Sequence, residues 1–167
     1  SETGTTVVVW TRVDADLTRT TLDGPAAAYN RTEVVYAVHD GTGWSEPRRL
    51  TDNAVPDATP RVAYSERAER WLIAWERAGD GDIATVTDAS VVYATGTRSA
   101  DSLTFATRGS ISTASEPMIT EGPGAAPFAI AFFEPTGQKN GSVVYGTLDE
   151  SVSIRSRHAT TRLKGFD

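Results

Sequence analysis

Apolar residues along the chain gather into short runs separated by clusters of Gly, Asp, Asn, Ser and Pro. That spacing predicts strands joined by turns, and no long helix. Three runs repeat one line: VVVWTR at 7–12, RWLIAWER at 70–77 and IAFFEP at 130–135. They align Trp10, Trp75 and Phe133 in one register. A second line, VVYA at 34–37 and 91–94 and VVYG at 143–146, places Tyr36, Tyr93 and Tyr145 at intervals of 57 and 52 residues. PRVAY from Pro60 and PMIT from Pro117 precede the aromatic register by 15 and 16 residues. GWSEPRRL from Gly43, LTFATRG from Leu103 and SVSIRSR from Ser151 follow the tyrosines.

Each unit therefore reads as four short strands, A to D. Strand B is apolar at nearly every position, as expected where neighbouring sheets cover both faces, and strand D alternates more and suits an outer place. The expected fold is all-β, a β-propeller or partial propeller of about three four-stranded antiparallel blades, with approximate units 1–59, 60–116 and 117–167 of a single repeat domain. A β-sandwich built from the same hairpins is the competing architecture. The chain opens on a strand B with no strand A before it, so the reading expects part of a larger propeller or assembly. The remaining blades would come from another chain, a removed segment or a symmetry mate.

The stretch YAVHDGTGWSEPRRLTDNAVPDATPRVAY, residues 36–64, resembles sialidase-like, BNR-type bacterial or archaeal β-propeller repeats, in which strand D of one blade leads into strand A of the next. The resemblance implies a propeller fold. It does not carry the activity over. The Asp-box of that group needs Ser/Thr-x-Asp-x-Gly-x-x-Trp, and here Asp40 lies only four residues before Trp44. The arginine-containing opening motif is also absent, because Arg61 stands in TPRVA.

The composition narrows the partners. A formal net charge of -6 and no basic run argue against nucleic acid. No stretch of eighteen apolar residues appears, which leaves no candidate membrane-spanning helix. No cysteine is present, so neither disulfides nor thiol chemistry enter. Fourteen of the sixteen basic residues are arginine, a bias tied to no structural role. A first residue other than Met, together with sequons at Asn30 and Asn140, fits an extracellular or cell-surface protein, or a fragment of a longer one.

Loop geometry of a radial sheet places the B–C loops and D–A crossings at one end. That end is expected to be acidic and to bind through Asp14, Asp16, Asp23, Asp52, Asp57, Asp80 and Asp82, with Asp88 and Glu121 beside them. Arg67, Arg70 and Arg98 fall at the other end. Alternating carboxylates at Asp14 and Asp16 and at Asp80 and Asp82 are the oxygen donors a Ca2+ ion needs, but neither pair completes a calcium loop. Turn capping by Asp is the simpler reading, and no cofactor is expected.

Trp10, Trp75 and Phe133 are expected to pack between blades rather than to form a sugar platform. Tyr36, Tyr93 and Tyr145 share that packing role. Trp44 and Trp71 stand nearer turns. His39 and His158 lie in different units with no nucleophile at a diagnostic spacing. Glu76 and Glu134 follow the aromatic register and are the candidate paired carboxylates for glycoside chemistry, against a plain solvated strand end. The leading expectation is a non-catalytic binding or assembly module that takes other protein subunits or blades, or glycans, through long loops such as residues 11–33. A glycan-processing enzyme completed by missing blades, and a structural subunit of a filament or surface layer, are the alternatives.

Overall fold

The computed structural model describes residues 4–13, 31–80, 82, 87–99, 102–137, 140–148 and 154–164. Eleven strands run in chain order: β1 (Thr6–Val13), β2 (Thr32–His39), β3 (Arg48–Arg49), β4 (Asp57–Ser65), β5 (Arg70–Arg77), β6 (Ser90–Ser99), β7 (Ser102–Ser112), β8 (Ser115–Glu121), β9 (Phe128–Gly137), β10 (Asn140–Leu148) and β11 (Ile154–Lys164). They form three antiparallel sheets, β1-β2-β3, β4-β5-β6-β7 and β8-β9-β10-β11, each a simple meander. The fold is all-β, and the three sheets do not close on one another.

The second sheet lies between the other two. Alternate residues of a strand face opposite sides, and β5 uses both. Ile73 and Trp75 pack with Val92, Ala94, Val34 and Tyr36 against the first sheet. Leu72 and Ala74 pack with Val91, Tyr93, Phe128, Ile130, Phe132 and Val144 against the third. Burial on both faces explains the unbroken apolar run of β5. β7, at the outer edge of its sheet, instead alternates in exposure.

Pairing fixes the repeat. Trp10 faces Val35, Trp75 faces Val92 and Phe132 faces Val144, so these three aromatics are equivalent. Tyr36, Tyr93 and Tyr145 are equivalent as well, opposite Val9, Ala74 and Ala131. The expected register of Phe133 is corrected by one residue. Phe133 stands where the second sheet has Glu76, on the opposite side from the second sheet, and its ring lies over Gly141, where any Cβ would collide with it. A one-residue slip reverses the face of a strand side chain, and two adjacent phenylalanines conceal it in the sequence. Nor are the three expected wedges alike: Trp75 is 0% exposed, whereas Trp10 and Phe133 are half-buried on outer sheets.

On this alignment β1, β5 and β9 are second strands, and β4 and β8 are first strands. The first sheet has three strands among the described residues and no counterpart there of β4 or β8. Backbone approach between sheets agrees: β4 comes close to β8, and β1 approaches β4 as β5 approaches β8. Both of these first strands carry the same irregularity. Thr59 and Glu116 each precede a proline, each takes a positive φ (46° and 50°), and each sits at a register shift of its ladder.

Candidate functional site

The crossing from the first sheet to the second is built around two buried carboxylates. Glu33 accepts hydrogen bonds from the Thr51 hydroxyl and from the Asn53 amide at 3.0 Å. Thr51 Oγ1 in turn accepts the Val34 amide at 2.8 Å. The Asn53 side chain then donates to Asp57 Oδ2 at 2.6 Å, so one asparagine links both acids. Asp57 Oδ1 also accepts the Trp75 indole N–H at 2.7 Å and Arg77 Nε at 2.8 Å, while a second Arg77 nitrogen reaches Oδ2 at 3.3 Å. Asp57 is 0% exposed, and four donor bonds with one cation compensate its desolvation. This corner fastens the sheets together. It also places Asp57 inside the fold rather than on the acidic surface where a loop aspartate was expected.

The remaining predicted residues scatter. Asp52 is exposed and pairs with Arg49 at 3.1 Å, a contact of small energetic value at the surface. Asp80 accepts the Asp82 amide at 2.8 Å in a local Asx turn, and both residues are exposed. Asp14, Asp16, Asp23 and Asn30 lie outside the described residues, as does most of the 11–33 loop. Asn140 is exposed at the start of β10. Among the described residues no group of three or more His, Asp or Glu side chains is arranged to hold a metal ion. No helix there is long and apolar enough to cross a membrane.

Glu121 departs from its expected end. It accepts the Ser65 hydroxyl at 3.2 Å and the Arg67 amide at 3.4 Å, which sets it beside the β4–β5 hairpin among the arginines. The turn that carries it is an A–B hairpin, and such hairpins lie opposite the B–C loops.

Glu76 and Glu134 do not occupy equivalent positions. By pairing, Glu134 matches Arg77 and Phe133 matches Glu76. Glu76 is buried and accepts the Glu116 amide at 3.0 Å, a bond between the second and third sheets. Burial pushes its carboxyl above the ordinary glutamate range, opposed by that amide and reinforced by the Glu116 charge.

One open cleft of about 460 Å³ lies where the β2–β3 and β6–β7 hairpins diverge. Arg48 and Arg98 line it from the two sheets, with Trp44 beside them at 55% exposure. Arg98 donates to the Thr5 hydroxyl at 2.7 Å and Arg48 to the Leu103 carbonyl at 3.4 Å. Asp40, also in the lining, has its Oδ1 filled by the Thr42 hydroxyl, the Thr42 amide and the Gly43 amide. Those bonds, the hydroxyl's first, hold its carboxyl well below the usual range. The His39 ring meets Trp44 edge-on at 5.2 Å. The cleft combines cationic donors with an aromatic wall, and no local motif marks it because its residues come from two separate stretches of the chain.

Compared with models of known protein families and with curated proteins, the sequence matches none.

Proposed function

We propose that the chain is a non-catalytic binding or assembly module, a radial segment of a β-propeller whose outer faces take further sheets. One repeat position carries the reading. Tyr36 and Tyr93 are each covered by the sheet that follows, but the equivalent Tyr145 is 46% exposed, with no further sheet over it among the described residues. Met118, 66% exposed, lies in the same cross-strand row through Ala131. Exposed apolar groups at a position that the fold otherwise buries are what an interaction surface requires.

The approach of β1 to β4 and of β4 to β8 supports radial stacking, because inner strands come closest in such an arrangement. Two copies joined head to tail, the third sheet of one against the first sheet of the other, would supply six sheets. That number lies within the range propellers use. Display outside the cell belongs to the same reading and rests on the exposed Asn140 sequon.

Analytical ultracentrifugation over a wide concentration range tests it. The mass is expected to rise from one copy to two, and Tyr145→Glu with Met118→Glu is expected to hold the chain at one copy while it stays folded by circular dichroism. A single-copy mass at every concentration in the unaltered chain refutes the head-to-tail assembly.

A further inference from the structure

The three sheets carry three versions of one corner. In the second sheet, Asp57 on the inner strand receives Trp75 and Arg77 from the adjacent strand. The motif is Asp-x-x-Pro opposite Trp-x-Arg, since Pro60 follows Asp57 by three residues and Arg77 follows Trp75 by two. In the third sheet all three members change together. Aligning Pro117 with Pro60 and Phe132 with Trp75 puts Ala114, Phe132 and Glu134 in their places. No indole N–H and no cation remain, and the buried acid has become a buried alanine.

The first sheet keeps the receiving half only. Trp10 and Arg12 on β1 match Trp75 and Arg77, but β1 is paired on one side alone among the described residues, and the strand that would carry the acid is absent from the sheet. Trp10 is half-buried and Arg12 exposed. A half-motif of donors beside an open strand edge specifies its complement, because edge groups pair with an extended segment and the donors select an anion.

We infer that the free edge of β1 binds an extended peptide segment of the pattern Asp-x-x-Pro, which adds antiparallel to β1 as its missing inner strand. Its aspartate stands opposite Arg12 and receives the Trp10 indole N–H, and the segment runs towards Thr5. That register follows from Asp57 opposite Arg77 and Ser65 opposite Arg70 in the second sheet. The inference rests on the sheets being repeats of one unit and does not require that copies of the chain assemble.

A capped synthetic peptide with the sequence of residues 57–67, DATPRVAYSER, is the probe. It is titrated into the full 167-residue chain, followed by ¹⁵N NMR of the indole N–H signals and by amide hydrogen exchange. The expected result is saturable binding that shifts the Trp10 indole signal, assigned by its loss in Trp10→Phe, and protects alternate amides of β1. The peptide carrying D57N is expected to bind at least about tenfold more weakly, the scale of a charge-assisted hydrogen bond. Against a Trp10→Phe, Arg12→Ala chain, the two peptides are expected to bind alike. Equal binding of both peptides to the unaltered chain overturns the inference, as does a shift at Trp75 instead of Trp10, or no protection of β1 at millimolar peptide. Ultracentrifugation of the peptide-free chain reports separately on assembly, so either idea can fail alone.

Discussion

The second and third sheets solve the same packing problem with opposite chemistry. At the head of the second, a buried acid is held by an indole, a guanidinium and an asparagine amide, and the guanidinium carbon lies 5.9 Å from the centre of the Trp75 ring. At the head of the third, the matching positions are Ala114, Phe132 and Glu134, of which the first two are buried apolar groups in the core. A polar corner is tolerable only when every member is present, whereas an apolar one demands only volume. The three positions are therefore coupled and should be read as one unit.

Breaking the polar corner should give the largest effect. Asp57→Ala leaves Trp75 and Arg77 without their acceptor and is expected to lower stability by about 3 kcal/mol, the low end for a disrupted buried pair because Arg77 is partly solvated. Converting the whole corner with Asp57→Ala, Trp75→Phe and Arg77→Glu should recover part of that loss, measured by urea denaturation. A triple variant less stable than Asp57→Ala alone would show that the corners are not interchangeable.

A comparable contrast lies in the tyrosines. Tyr93→Ala removes a buried ring that lies against Gly109 and should cost about 3 kcal/mol, whereas Tyr145→Ala should stay within about 0.5 kcal/mol in the single copy. Equal losses at both positions would mean that Tyr145 is already packed.

The smallest effect concerns pH. Because burial raises the Glu76 carboxyl, the folded chain binds a proton more tightly there than the unfolded one, so the two differ in protonation only between their respective values. Its contribution is present in full below the unfolded glutamate value and is lost as pH rises through the folded one. Glu76→Gln keeps an acceptor for the Glu116 amide and should flatten this part of the profile, with a higher denaturation midpoint at neutral pH. An unchanged slope would place the proton elsewhere.

Much of the scaffold was legible in the sequence because strands buried on both faces write continuous apolar runs, and the Val-Val-Tyr line marks equivalent positions without ambiguity. The aromatic register was legible only where one aromatic stood alone: Trp10 and Trp75 align, but the pair Phe132 and Phe133 offers two choices, and only pairing tells them apart. Asp57 looked like any loop aspartate. Its signal was relational, an Asp-x-x-Pro preceding Trp-x-Arg, and it becomes visible only beside the sheet in which both halves are lost. The cleft at Trp44 had no linear signal, because Arg48 and Arg98 are fifty residues apart in the chain.

The prolines of β4 and β8 have a consequence for pairing. Thr59 and Glu116 hold a left-handed backbone just ahead of them, and each ladder shifts register there. β5 and β9 take up each interruption as a shift of register, so a segment pairing along the other edge of β4 or β8 would meet the same break. Bulged edges of this kind are a general means by which sheets discourage edge-to-edge growth.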